Sequence, residues 1–148
     1  MKKKLQLLIL LFVLIFCSLL KMNAQSGADW QPIYLQVTGH NTMDGVEALF
    51  QLSSCNGEDI ISIKYINHND YAVKLEWFDA VFTRELKWIN REQAADKKTI
   101  QLAAKEEAMG TCSNNLYAEL IVKVKDFTAD KKDFNRYSAS RLWVSGVQ

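Results

Sequence analysis

The sequence predicts an all-β protein, a single antiparallel two-sheet β-sandwich of about seven or eight strands. Apolar and polar residues alternate in several short stretches, which is the pattern of strands with one buried face. The chain has one proline, six glycines and no internal repeat, so nothing marks a domain boundary after the N-terminal segment. Two widely spaced cysteines follow that segment. Many short, one-sided strands bury their apolar faces against a second sheet or close into a barrel, and a two-sheet sandwich fits the length best.

The N-terminal residues have the pattern of a secretory signal peptide. Three lysines at positions 2–4 precede a largely apolar run over 5–20. Ala24 supplies a small residue at the expected cleavage point, which predicts a signal peptide over 1–24 and a mature domain over 25–148. A retained anchor is one alternative, because the run is about long enough for a marginal membrane span. Lipid attachment at Cys17 is another, which is disfavoured because the residue before it, Phe16, is not small. Such a signal resembles those of exported Gram-negative bacterial proteins, and it implies a periplasmic, cell-surface or extracellular location.

Cleavage changes the charge of the chain. The formal net charge falls from +1 to −3, because four lysines and no acidic residue leave with the signal. A mildly acidic chain argues against nucleic acid or an anionic membrane surface as a partner. The remaining 124 residues match the commonest size of one domain and suffice for a single core.

The alternating stretches predict the strands in chain order. They cover residues 33–37, 46–52, 61–65, 71–77 and 116–124. Two further short strands are predicted at 99–103 and 141–144.

The stretches 61–65 and 71–77 predict a hairpin, since a polar tetrad separates them. The apolar residues of both stretches lie on the same side of a sheet only if each odd-numbered residue of one pairs with an odd-numbered residue of the other, as in Tyr65 with Tyr71. This requirement predicts a three-residue loop over 67–69, with Asn69 in the left-handed conformation.

Three stretches do not alternate clearly. Residues 84–98 favour a helical turn by composition, although a strand at 85–90 is equally tenable. Residues 103–108 have helical propensity between a predicted strand and a glycine, where tertiary context can override it. Residues 126–133 are predicted to form a charged loop.

Cys55 and Cys112 are the two cysteines that remain after processing, because Cys17 lies in the signal. Two cysteines in an exported chain most simply pair with each other, and the bridge stabilises the fold by roughly 4 kcal/mol in the chain-entropy model. A metal site or a reactive thiol is the rival interpretation. It has little support, because neither cysteine has a histidine or a second cysteine at ligand spacing, and there is no C-x-x-C motif.

The chain resembles immunoglobulin-like and fibronectin-like sandwiches in two features. These are its number of strands and its two widely spaced cysteines with a tryptophan between them. The chain departs from the specific immunoglobulin pattern in two places. Trp77 follows Cys55 by 22 residues, which is further than the pattern expects, and Gly110 stands where the pattern has a tyrosine. The resemblance implies an architecture and carries no function.

No catalytic, cofactor or metal site is predicted. The acidic residues near 57–59 and 126–133 lack the alternating oxygen-ligand spacing of a calcium loop, so solvated turns are the preferred interpretation. The chain has no G-x-S-x-G motif and no glycine-rich phosphate loop. Pairs of carboxylates such as Asp79 and Glu85 have no spacing that sets them for glycoside hydrolysis.

The aromatic residues are the remaining candidates for function. Trp88, Trp143 and Tyr137 are the candidates for binding a protein or a glycan, since rings on a polar face combine contact area with a hydrogen-bonding tip. Filling of the core and its edges is the preferred interpretation of the aromatic residues, because large aromatics are mostly buried. Tyr34 and Tyr117 fall most clearly on the polar sides of their stretches. The first functional hypothesis is therefore a non-catalytic exported binding module. The alternative is a structural or accessory subunit recruited through a sheet edge, and a small hydrolase is the least favoured.

Overall fold

The computed structural model describes residues 29–35, 38–113 and 116–147, and the predicted signal peptide lies outside them. Within this part of the chain, ten β-strands form two antiparallel sheets, and the only helices are 3₁₀ helices of three residues each. The predicted all-β sandwich is confirmed. None of the described helices has the length and apolar character needed to cross a membrane.

The first sheet has β4 at its centre, flanked by β3 on one side and by β8 and β9 on the other. Its strands are β1 (Gln31–Pro32), β2 (Thr42–Met43), β3 (Val46–Cys55), β4 (Glu58–Asn67), β8 (Glu107–Met109) and β9 (Ile121–Lys123). The second sheet has β5 at its centre, flanked by β10 on one side and by β6 and β7 on the other. Its strands are β5 (Val73–Thr83), β6 (Trp88–Asn90), β7 (Lys98–Leu102) and β10 (Phe134–Gly146).

The strand alternation places the core between the sheets, as predicted. Inward positions of β3 to β5 such as Val46, Ile63 and Leu75 have no exposed surface. Trp77 lies in the middle of this core, with its ring centroid 5.2 Å from that of Tyr65 in an edge-on contact that bridges the two sheets.

The predicted hairpin between the fourth and fifth strands is wrong. β4 and β5 belong to different sheets, and residues 68–72 cross from one sheet to the other. Asn69 does not have a positive φ, and Tyr71 is 54% exposed. The hairpin forms instead between β3 and β4. Asn56 and Gly57 have φ values of +52° and +80° there, as in a two-residue type I′ turn.

Asn67 explains why the chain crosses at this point. The side chain is 1% exposed, and its amide donates to the carbonyl oxygens of Tyr71 at 2.9 Å and Ala103 at 2.8 Å. Its carbonyl oxygen accepts from the backbone and side-chain nitrogens of Asn69, each at 3.0 Å. One buried amide therefore satisfies backbone groups on both sides of the crossing.

The predicted strand over 116–124 is only partly confirmed. Leu120, Val122 and Val124 are buried, but the strand itself is limited to β9, and Leu116 is 70% exposed. Gly110 provides a physical reason, because a Cβ atom there would lie 2.2 Å from the carbonyl oxygen of Leu120. The two backbones pack closely here, and residues 118–120 form a 3₁₀ helix in place of the predicted strand.

Other strand limits also differ from the predictions. The last strand begins at Phe134, seven residues before the predicted strand at 141–144, and runs for 13 residues. Residues 84–98 contain both β6 and a 3₁₀ helix at Ala94–Asp96, so each of the two interpretations holds for part of the stretch. β8 lies at the end of the stretch with helical propensity.

The predicted disulfide is present between Cys55 and Cys112, whose Cα atoms are 5.4 Å apart. It joins the end of β3 to the segment between β8 and β9. The bridge therefore closes one end of the first sheet.

Candidate binding surface

The three predicted binding aromatics lie in different environments. Trp143 is 61% exposed on β10, and Trp88 is half-buried on β6. Tyr137 is fully buried, so its predicted role in surface binding is wrong. The register of β10 shifts between Phe134 and Arg136, and Tyr137 consequently pairs with Val81 on the core side of the sheet.

A row of aromatic and cationic side chains crosses the outer face of the second sheet. Arg136 on β10 is paired with Phe82 on β5, and Phe82 is paired with Trp88 on β6. The Arg136 guanidinium lies 4.5 Å from the Phe82 ring centroid, and the centroids of Phe82 and Trp88 are also 4.5 Å apart, with the ring planes tilted by 57°. Both contacts lie within the range of favourable cation–π and aromatic interactions.

Tyr34 extends this row beyond β10. Its neighbours Ile33 and Leu35 are buried, so the side chain between them points outward and is 51% exposed. The ring centroid lies 5.6 Å from the Arg136 guanidinium, and the Tyr34 carbonyl accepts a hydrogen bond of 3.1 Å from the Ser138 hydroxyl. We call Tyr34, Arg136, Phe82 and Trp88 the aromatic row.

Trp143 does not belong to the aromatic row. It is paired with Glu76 on β5, whereas the row crosses β5 at Phe82. Six residues along a strand correspond to about 20 Å. The second sheet therefore carries two separate exposed aromatic positions on its outer face.

The hairpin tip beside the row carries one exposed apolar side chain. Leu86 is 75% exposed and has a φ of +60°, a left-handed conformation that is uncommon for a leucine. It ends a three-residue loop that begins at Arg84, two positions after Phe82. A large apolar side chain in a strained and exposed position adds contact area next to Trp88.

A buried polar cluster fixes the strands that carry the row. The Asp79 carboxylate on β5 accepts hydrogen bonds from the Tyr137 hydroxyl at 2.6 Å and the Trp77 indole at 3.2 Å. Its second oxygen pairs with the Lys98 ammonium at 2.7 Å. Burial, and secondarily the Asp79 charge, raise the pKa of Tyr137 well above its usual range, so the phenol keeps its proton. β10 and β5 are thereby joined by a side-chain hydrogen bond on the core side of the sheet, three residues along β5 from Phe82.

A cleft with a volume of about 350 Å³ opens beside this cluster. It lies between Lys98 and the β9 region, and the aromatic ring of Phe127 forms part of its wall. Its cations are already engaged, since Arg91 donates to the Asp126 carbonyl at 3.1 Å and Lys98 to the Glu119 carbonyl at 2.6 Å. We therefore assign the cleft no ligand.

Glu58 and Asp59, two of the acidic residues considered for calcium, are paired with lysines. Glu58 pairs with Lys123 at 2.8 Å and with Lys125, and Asp59 pairs with Lys131 at 2.6 Å. Hydrogen bonds from Lys123 and then from Lys125 lower the pKa of Glu58 to about 2. Across the described residues, no group of three acidic, histidine or cysteine side chains is placed to hold a metal ion.

Two residues of the row, Phe82 and Arg136, were not among the candidates from sequence. Phe82 occupies an even position on a strand whose odd positions are buried, so alternation does indicate its outward direction. Arg136 had no such signal, because it lies in a stretch where no strand was predicted. Their contact depends on the pairing of two strands 54 residues apart at this point.

The fold and the surface define the class of protein: a disulfide-bridged β-sandwich domain with an aromatic and cationic outer face. No protein-family model matches the chain, and no curated protein is similar to it in sequence. Among solved structures, the crystal structure of a DUF1425 family member from Shewanella sp. pv-4 is similar, with 10% sequence identity and a TM-score of 0.43. The match covers 70% of this chain and 79% of that chain, and we draw no functional conclusion from it.

Proposed function

We propose that this protein is an exported, non-catalytic module that binds another protein through the aromatic row. The observation that carries the proposal is the unbroken series from Tyr34 through Arg136 and Phe82 to Trp88 across the whole second sheet. Tryptophan, tyrosine and arginine are the residues most enriched at the energetic centres of protein interfaces. The bridge between Cys55 and Cys112 supports export, because such bonds persist in oxidising compartments.

A protein partner has more support than a glycan. The Arg136 guanidinium lies over the rings of both Tyr34 and Phe82. Sugars stack on open ring faces, and here an arginine occupies one face of each of these two rings. Leu86 at the neighbouring hairpin tip adds an aliphatic contact suited to a protein surface.

Recruitment through a sheet edge, the accessory-subunit alternative, has less support. β10 is long and, among the strands that the structure describes, pairs only with β5, but its register shifts twice. Arg141 lies within the second shift with a φ of +49°, and the Tyr34 segment lies beside Ser138. Bulges and covering segments are devices that block the addition of another strand.

The proposal is tested with the protein produced from the full 148-residue sequence and purified after export. The wild type and three variants, Tyr34→Ala, Trp88→Ala and Trp143→Ala, are immobilised and exposed to envelope extract of the source bacterium. Bound proteins are quantified by mass spectrometry. We expect one set of proteins to be lost, by tenfold or more, from the two row variants and retained by Trp143→Ala. Tyr34→Ala and Trp88→Ala should lose binding of the same proteins, because both residues belong to one surface.

Trp143→Ala is the matched control, because this tryptophan is exposed on the same sheet about 20 Å from the row. Thermal unfolding of each variant checks that the fold is intact. If capture depends on Trp143 and not on the aromatic row, the binding site lies at the other end of β10. Capture that is unchanged in all three variants would refute binding by exposed aromatics.

A further inference from the structure

We propose, on the basis of the function proposed above, that the partner presents an acidic peptide segment to the aromatic row, with a carboxylate bonded to Arg136 and apolar side chains against the rings. The observation behind this proposal is that the positive charge of Arg136, which lies beside two rings, is not paired with a described carboxylate.

Arg136 has no carboxylate partner among the described residues. Most of the described lysines do have one, including Lys64, Lys87 and Lys131. The contacts of the Arg136 guanidinium are with the two rings, and its side chain is exposed. A guanidinium carries five N–H donors around its rim, and in the described part of the chain none of those of Arg136 donates a hydrogen bond to a carboxylate or a carbonyl.

Stacking also prepares Arg136 to bind a carboxylate. An exposed arginine loses side-chain conformational entropy when it is fixed by a ligand. Here Tyr34 and Phe82 already restrict the side chain, so less entropy remains to be lost. A carboxylate can accept two parallel hydrogen bonds from such a planar donor, which favours it over a neutral amide.

The charges around the row favour an acidic ligand as well. Arg84 leaves the end of β5 beside the row, is exposed, and has no carboxylate partner in the described part of the chain. Glu85 and Lys87 pair with each other at 2.7 Å. Asp133 is the remaining acid at this end, and it lines a cleft together with Arg84 and Lys87. With Lys132 and Arg136 included, the four cations at this end exceed the two acids by two.

The first test compares two small probes that differ only in charge, phenylacetate and phenylacetamide. Each is titrated to millimolar concentration into the ¹⁵N-labelled protein, and NMR follows the side-chain N–H signals of Arg136 and Trp88. We expect phenylacetate to shift both signals and to bind about fivefold more tightly than the amide, as for an exposed charged pair. Equal affinities, or shifts centred elsewhere, would overturn the proposal.

Two arginine variants isolate the charge. Arg136→Gln should reduce the fivefold preference to none. Arg91→Gln is the matched control, because Arg91 also lies over a ring, that of Phe127 at 5.3 Å, but already donates to the Asp126 carbonyl. It should keep the preference, and loss of the preference in both variants would show a general charge effect and overturn the assignment.

Trp88→Ala separates this inference from the proposed function. It should weaken both probes equally and leave their ratio unchanged, since the ring contributes apolar contact to each. If both probes bind the row with the same affinity, the row remains a binding surface and only the acidic partner is refuted. If Trp88→Ala weakens neither probe, the proposed binding surface itself is refuted.

The last comparison identifies the source of the carboxylate. The ligands are a ten-residue peptide alternating glutamate and leucine, its glutamine counterpart, and an oligogalacturonate with the same number of carboxylates. We expect the glutamate peptide to bind most tightly, with a preference that Arg136→Gln abolishes. Tighter binding of the oligogalacturonate would overturn the assignment of a peptide and identify an acidic glycan.

Discussion

Replacement of Asn67 by aspartate tests the crossing between the two sheets. In Asn67→Asp an oxygen replaces the nitrogen that donates to the carbonyls of Tyr71 and Ala103. Two donated hydrogen bonds are lost, each contributing about 1 kcal/mol net, and the two carbonyls then face a carboxylate oxygen. The site is 1% exposed, which adds a cost for burying charge. We expect the free energy of unfolding to fall by about 3 to 5 kcal/mol, a large part of the total for a domain of this size.

Urea denaturation at pH 7 measures this cost, and Asn135→Asp is the matched control because Asn135 is exposed on β10. The cost should also depend on pH. Burial and the two carbonyls raise the pKa of the introduced carboxyl in the folded state, so the penalty is complete above that pKa and shrinks as the pH falls through it. A cost within about 0.5 kcal/mol of that of Asn135→Asp, or one that is unchanged between pH 7 and pH 4, would refute this account of the crossing.

Three further predictions concern stability. Cys55→Ser should lower the free energy of unfolding by roughly 4 kcal/mol in urea titrations under oxidising conditions, and no change would contradict a structural bridge. Glu58→Gln should be less stable than the wild type above pH 4.5, and the difference should vanish as the pH falls through about 2. The reason is that the pKa of Glu58 is lowered from 4.5 to about 2 in the folded protein. A difference in stability that does not change with pH would contradict the ion pairs of Glu58. Gly57→Ala should cost about 1 kcal/mol for its φ of +80° in open space, whereas Gly45→Ala should cost about 1 kcal/mol more, since its Cβ would lie 2.4 Å from the Asn69 side-chain oxygen. Thermal unfolding distinguishes these two, and equal costs would show that Asn69 moves freely.

Alternation predicted the fold class because it reports which side of each strand is buried. Val73, Leu75 and Trp77 have no exposed surface, as their spacing indicates. The same spacing does not report which strand lies beside which. These three residues are buried whether β5 forms a hairpin with β4 or the chain crosses to the opposite sheet. The alternation of apolar residues therefore could not distinguish the two topologies.

The local signals that decide the topology are short. Asn56 and Gly57 form a pair suited to two successive positive φ values, and this dipeptide marks the hairpin that forms. At the other end of β4, the buried amide of Asn67 stabilises the crossing through contacts with Ala103, which lies 36 residues away. A contact of that separation has no signature in the local pattern.

The aromatic row was missed for the same reason that the hairpin was wrong. Once the chain crosses at Asn67, β5 becomes the centre of the second sheet, and β10 and β6 pair on its two sides. Only this pairing sets Arg136, Phe82 and Trp88 in one line on the outer face. The crossing lies at the other end of β5 from the row and makes no contact with it. Asn67→Asp should therefore lower stability without changing probe affinity per folded molecule, whereas Arg136→Gln should change the affinity of phenylacetate and leave stability nearly unaltered.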